Sequence, residues 1–323
     1  MIGYVLWAVT VALGLLLARE WLDRRACRVR HQEAFDGKIY PVGLAWVAER
    51  RPSEPRVTVI CMHGFLENLH YFTEYYAAPD IQLILINSAD YHLPVPDPRI
   101  ERADWAVPPN SPPGTITYDA EVLLQALEHL PVTRRIRVHG HSRGGAVILE
   151  AASRRPDLFR NAELVLEAPT LPGARSSLPV SALMLWLLPF VAPLWRWFPI
   201  TPLHSRLYGP LDNPRKRRLI DAYPSNPRRT RTIRRNLQDL QQWMSGQGPE
   251  LYTHVRQGAV LIATGDHVLD VDSMRASAQQ AGGRLAVHEI PDCSHFVVPD
   301  QPEQIPQLSP TPGNDNERTE EQT

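Results

Sequence analysis

The residues most able to do chemistry are Gly140-His141-Ser142-Arg143-Gly144. They follow the β-rich run RIRVH and open the helical stretch GGAVILEAA. Glycines two residues either side of a serine suit a strand-to-helix turn so sharp that a Cβ at either place would collide. Such a turn strains the serine backbone and lifts its Oγ clear of the strand. It also sets the Arg143 N–H at a helix N-terminus, where a developing oxyanion is stabilised by the helix dipole. The chemistry expected is attack of Ser142 on an acyl carbonyl. That attack needs a base, an acid to orient the base, and a second N–H for the oxyanion. His295 follows the last apolar run through Pro-Asp-Cys-Ser-His-Phe and is expected to be the base. Asp266 follows AVLIAT through Gly265 and is expected to hold the His295 tautomer. Asp270, Asp272 and Glu167 remain alternative acids. Upstream, His63-Gly64-Phe65 closes the run VTVICM. Phe65 is expected to supply the second oxyanion N–H, Gly64 to allow close approach, and His63 to be a structural hydrogen-bonding residue.

These residues must be held by regular elements, and the pattern supplies them. VTVICM (57–62) and IQLILIN (81–87) are continuous apolar runs, as expected of strands buried on both faces. Further strands are expected at 43–48, 135–139, 164–167, 259–264 and 285–290, with helices at 69–78, 117–130, 144–153 and 274–280. Strand–helix alternation implies a mostly parallel α/β sheet with helices on both faces. Residues 171–256 interrupt it without a buried strand and read as a helical insertion over one end of the sheet.

With these parts in order, the sequence resembles the α/β-hydrolase superfamily, in its capped serine esterase/lipase branch. The resemblance rests on HGF (63–65), GHSRGG (140–145), GDHVLD (265–270) and CSHF (293–296), and covers about residues 38–300. It implies an α/β-hydrolase fold with a helical cap between the sixth and seventh strands. It also implies Ser142, Asp266 and His295 as the catalytic residues, with Phe65 and Arg143 forming the oxyanion hole. A serine at this place disfavours the branches that carry a carboxylate there. Arg143 departs from the smaller or apolar residue common beside the nucleophile.

The bulk numbers set the setting. A chain of 323 residues, 43% hydrophobic with net charge -1, can bury a large core and has no overall bias toward nucleic acid. Its three cysteines, Cys27, Cys61 and Cys293, suit free thiols in a reducing compartment. None has zinc-ligand spacing, so no metal or cofactor is expected. Ile2–Ala18 is an uncharged apolar run at the short end for a membrane span. It lacks a basic start and a small-x-small end, so an uncleaved anchor (1–18) is expected rather than a signal peptide. Arg19, Arg24, Arg25, Arg28 and Arg30 follow, which favours a cytoplasmic body. Residues 19–36 then read as a juxtamembrane linker, 37–300 as the hydrolase domain and 301–323 as a disordered tail.

The insertion carries the only hints of substrate. LPVSALMLWLLPFVAPLWRWFPI (178–200) has Arg196 as its one charge. Pro179, Pro189, Pro193 and Pro199 predict broken, short helices rather than a second span. Such a cap would line an acyl pocket or dip into a bilayer, with Trp186, Trp195 and Trp197 at the interface, unless these residues simply pack the cap onto the sheet. From His204 to Arg235 there are ten Lys/Arg, a solvated face or an attraction to anionic headgroups. The expectation is a membrane-anchored hydrolase of hydrophobic or lipid esters. An acyltransferase using the same acyl-enzyme, and an inactive scaffold of the same fold, stay open.

Overall fold

A computed structural model describes residues 1–177, 180–198 and 200–308. Eight strands form one sheet: β1 (Lys38–Val42), β2 (Ala45–Arg50), β3 (Val57–Met62), β4 (Ile81–Asn87), β5 (Ile136–His141), β6 (Ala162–Glu167), β7 (Gly258–Ala263) and β8 (Ala286–Ile290). Their order is β1-β2-β4-β3-β5-β6-β7-β8. β1/β2 and β2/β4 are antiparallel, and every later pair is parallel. β3 and β4 are buried along their whole length. Their side chains alternate between the two faces. Ile60, Met62, Ile84 and Ile86 join one core. Val57, Val59, Cys61, Leu83 and Leu85 join the other.

Helices cover both faces. α1 is Ile2–Arg24, α2 Ile116–His129, α3 Arg143–Arg154, and α8 and α9 are Val271–Gln279 and Val297–Asp300. Between β6 and β7 lie α4 (Ala182–Trp195), α5 (Ser205–Tyr208), α6 (Pro214–Ala222) and α7 (Thr230–Gly246). α2 begins where the Thr115 hydroxyl accepts the Tyr118 N–H. Its apolar stripe, Val122, Leu123, Ala126 and Leu127, packs into the same core as Ile60 and Ile84.

Four expectations need correction. The helix foreseen over 69–78 is only a short 3-10 turn at Leu69–Tyr71. Its aromatic residues are weak helix formers, and Asn68 and Asn87 side chains take the His70 and Leu69 N–H groups instead. The first strand, Lys38–Val42, escaped notice because Pro41 sits inside it; an edge strand tolerates that proline. The prolines at 189 and 193 leave α4 unbroken. They lie four apart, so both missing donors fall on one helix face. At 14 residues α4 is about 21 Å long, well short of a span. Pro179 and Pro199 lie outside the described residues. Finally, the start of the tail is ordered: Ile305 is buried, and the Pro306 and Gln307 carbonyls accept from the buried Arg137 guanidinium. Residues 309–323 of the expected tail lie outside the described residues.

α1 is long and apolar enough to cross a membrane, and none of its apolar window is buried. It continues past residue 18 and is held to the insertion at its end. Arg19 Nε donates to the Trp186 carbonyl at 3.1 Å, and Asp23, itself buried, pairs with Arg234 of α7. Beyond the helix, the Cys27 N–H donates to the Arg228 carbonyl and Arg30 pairs with Asp221. The expected linker is therefore docked along the cap.

Candidate active site

The turn at Ser142 has the foreseen form. Ser142 sits between β5 and α3 at φ 51°, ψ −118°, a conformation costly for a residue with a Cβ. A Cβ on Gly144 would lie 2.1 Å from the Met62 carbonyl oxygen, and one on Gly140 would lie 2.7 Å from the Gly144 carbonyl oxygen. Main-chain bonds hold the turn: the Ser142 N–H donates to the Glu167 carbonyl, and the Ser142 carbonyl accepts from Gly145 and Thr170, each at 2.9 Å.

Asp266 and His295 come from the ends of β7 and β8, and the fold brings them together. His295 Nδ1 lies 2.6 Å from Asp266 Oδ2. Asp266 Oδ1 accepts the Val268 and Leu269 N–H groups at 2.7 and 3.0 Å. Burial alone would raise the Asp266 pKa, but His295 and those two N–H groups hold it below the usual carboxylate range. Asp266 therefore has one oxygen for the backbone and one for the imidazole. The other candidate acids are occupied elsewhere. Asp270 caps α8 through the Ser273 N–H, Asp272 pairs with Arg275, and Glu167 accepts from Tyr71 Oη and the Val298 N–H. Among the described residues no hydrogen bond reaches Ser142 Oγ; such bonds are often long in unliganded sites.

The N–H groups of Phe65 and Arg143 donate to no other group among the described residues. His63 Nε2 accepts the Ser88 N–H at 3.1 Å, so its proton is on Nδ1, facing the Gly64 carbonyl at 2.7 Å. That makes His63 a neutral brace for the loop carrying Phe65, and burial lowers its pKa accordingly. The Arg143 side chain turns inward: Nη1 lies 2.6 Å from Asp119 Oδ2, and both side chains are buried. An arginine beside Ser142 thus serves as an internal strut to α2.

Sequence reasoning missed two residues at the site. Glu67 Oε2 accepts the Gly64 N–H at 2.6 Å, and Oε1 accepts from Tyr223 Oη of the cap at 3.1 Å. Lys216 of α6 is buried, with Nζ 2.7 Å from Asp300 and 3.2 Å from Ser294 Oγ, beside His295. No spacing in the sequence signals either of them. The basic stretch is likewise divided: Arg215, Lys216, Arg229 and Arg234 are paired internally, while Arg206, Arg217, Arg218 and Arg231 are exposed.

The site is buried. Ser142, Asp266 and His295 are 7%, 6% and 3% exposed. A surface cavity of about 640 Å³ opens at the opposite ends of the strands, beside Val57, Ile136 and Ala259.

A parallel sheet with a strained serine at the β5–α3 turn and a His–Asp pair at the ends of later strands is the layout of an α/β hydrolase. The chain belongs to the alpha/beta hydrolase family, whose model matches residues 59–307. Solved structures agree on the fold. An esterase from Exiguobacterium antarcticum is 12% identical with a TM-score of 0.61, covering 83% of this chain and 96% of its own. A thermophilic esterase from Thermogutta terrifontis is 17% identical, TM-score 0.54, covering 80% and 89%. The N-acyl homoserine lactonase AidH is 12% identical, TM-score 0.55, covering 83% and 93%. No curated protein sequence matches significantly.

Proposed function

We propose that the chain is a serine hydrolase of hydrophobic carboxylic esters, working at a membrane surface. The observation that carries the chemistry is Ser142 at positive φ on its turn, with the hydrogen-bonded His295–Asp266 pair supplied from β8 and β7. In this reading His295 Nε2 takes the Ser142 Oγ proton as Oγ bonds to the acyl carbon. The Phe65 and Arg143 N–H groups hold the resulting oxyanion. The tetrahedral species expels the alcohol, which receives the proton from His295. Water then attacks the acyl-serine with the same base, releasing the acid and restoring Ser142. Asp266 keeps the Nδ1–H tautomer throughout.

The surface of the cap supports the membrane part. Leu183, Val191, Leu194, Trp197, Phe198 and Leu203 are all at least half exposed. Arg19, where α1 turns polar, is bonded to Trp186 of α4. If α1 spans a bilayer, that bond sets α4 level with the bilayer surface, and exposed Trp and Phe suit that depth. Water-excluding burial of the site then makes the bilayer the natural source of substrate.

The test is fluorophosphonate labelling of membrane fractions. Labelling of wild type and none of Ser142→Ala supports the serine chemistry; folded wild type that takes no label sinks it. Turnover of short soluble esters with none of vesicle-embedded long-chain esters would sink the lipid part alone.

A further inference from the structure

We infer that His141, the residue before Ser142, is a positioning residue that works as a doubly protonated imidazolium, tying the loop of His295 to the oxyanion loop and the cap. This rests on the serine-hydrolase reading and adds to it a residue outside the Ser142–His295–Asp266 set.

The argument begins with donors and acceptors. His141 is fully buried. Its Nε2 lies 2.8 Å from the main-chain carbonyl oxygen of His295. A carbonyl only accepts, so Nε2 carries a proton. Its Nδ1 lies 2.8 and 2.9 Å from the two oxygens of Glu67. Glu67 also accepts the Gly64 N–H and the Tyr223 hydroxyl, two donors independent of His141, which is the environment of a carboxylate rather than a carboxylic acid. Nδ1 therefore carries a proton too. The ring lies flat on Tyr71, with centroids 4.5 Å apart and planes 8° apart. Tyr71 in turn donates to Glu167 at 2.7 Å.

The connections give the cation its purpose. One N–H holds the backbone of His295 itself, and the His295 ring stands 4.8 Å from the His141 ring. The other holds Glu67, which fixes the Gly64 N–H one residue before the expected oxyanion donor, Phe65. Through Tyr223 the same carboxylate reaches the cap. Base, oxyanion donor and cap thus share one buried ion pair. Loss of the Nδ1 proton would set a nitrogen lone pair against a carboxylate at under 3 Å and release that arrangement.

The groups facing His141 are Glu67, Glu167, His139, Tyr71, Tyr223 and His295. Burial opposes the charge on His141, but Glu67 and Glu167 outweigh it and move the pKa up to about 9. His139 is held neutral by its burial, and the hydroxyls of Tyr71 and Tyr223 ionise well above their usual range. His141 therefore titrates on the moderately alkaline side.

The experiment uses full-length protein in detergent micelles with a short soluble nitrophenyl ester, following kcat and KM from pH 5 to 10.5. Wild type should lose kcat above about pH 9. Glu67→Gln should move that limb to lower pH. His141→Gln should lose the limb altogether and lower kcat about 10- to 100-fold, with KM changed by less than about threefold, the signature of misplaced catalytic groups. A limb that is unmoved in both variants overturns the inference. Imidazole ¹⁵N spectra of wild type provide a readout free of folding defects. Two protonated ring nitrogens on His141 at pH 7.5 are expected, and a single one overturns the proposal. Wild type that takes no fluorophosphonate label would instead refute the hydrolase reading itself.

Discussion

Asp266→Asn isolates the role of the carboxylate from its shape. One carboxylate oxygen accepts two main-chain N–H groups and the other accepts His295 Nδ1–H. Asparagine keeps only one oxygen. Turning its amide N–H₂ toward Val268 and Leu269 would strand two donors, one half-buried and one buried, at about 1–3 kcal/mol each. The amide will therefore keep its oxygen on the backbone and present N–H to His295. Imidazole Nδ1 must then accept, which moves its proton to Nε2, the nitrogen that has to receive the Ser142 proton. A preference of about 2–6 kcal/mol leaves the working tautomer at between one part in about 30 and one in more than 10⁴. With the imidazolium also losing its counter-charge, kcat/KM should fall about 10³- to 10⁴-fold, the range known for triads forced into the wrong tautomer. The assay is ester turnover together with the rate of fluorophosphonate labelling, since both need the same base. A loss below about tenfold, or an equal loss in Asp270→Asn, would refute the reasoning. The fold should survive at neutral pH. Asp266 has a depressed folded pKa, so its stabilisation is present above the unfolded value near 4 and is lost as pH falls through the folded one.

Other expectations follow from single contacts. Gly144→Ala puts a Cβ 2.1 Å from the Met62 carbonyl oxygen, a main-chain atom of a central strand; thermal melts should show a loss of more than about 3 kcal/mol or no folded protein. Arg143→Met strands the buried Asp119, which keeps only the Ala89 N–H, and should cost about 3–5 kcal/mol in urea unfolding. Adding Asp119→Leu should recover part of that loss. Replacing Trp197, Phe198 and Leu203 together by serine should reduce turnover of vesicle-embedded esters at least tenfold while sparing a soluble ester; equal loss on both would remove the cap from the membrane. The raised pKa of His141 also bears on stability: its contribution is complete below the unfolded value near 6.5 and is lost as pH rises through about 9, readable as a falling Tm.

The central sheet was legible because its strands are buried on both faces. Runs such as VTVICM and IQLILIN have no other economical reading, and the glycines around Ser142 are forced by main-chain contacts under 3 Å. The meeting of Asp266 and His295 could be foreseen because each follows closely on a strand. Glu67 and Lys216 could not: apart from the Gly64 N–H beside Glu67, their partners His141 and Ser294 lie 74 and 78 residues away in sequence, on elements whose meeting only the fold decides. The residues around 69–78 misled because aromatic side chains can be periodic and still pack as a turn. Arg143 stood out in the sequence only as a departure from a smaller or apolar residue, and its direction depended on Asp119, a buried acid on a helix that reads as an ordinary amphipathic one.

The contact between Asp23 and Arg234 spans 211 residues of chain. At about 5–20 residues per second a ribosome needs roughly 10–40 s to make what lies between them. For that whole interval the end of the first helix has no cap to rest on and its carboxylate has no mate. If α1 enters a bilayer, its orientation is thus settled by the apolar run and the arginines behind it, early in synthesis, and the closing ion pair is added to a decision already taken. The cap, made late, is delivered to wherever that first helix has come to lie.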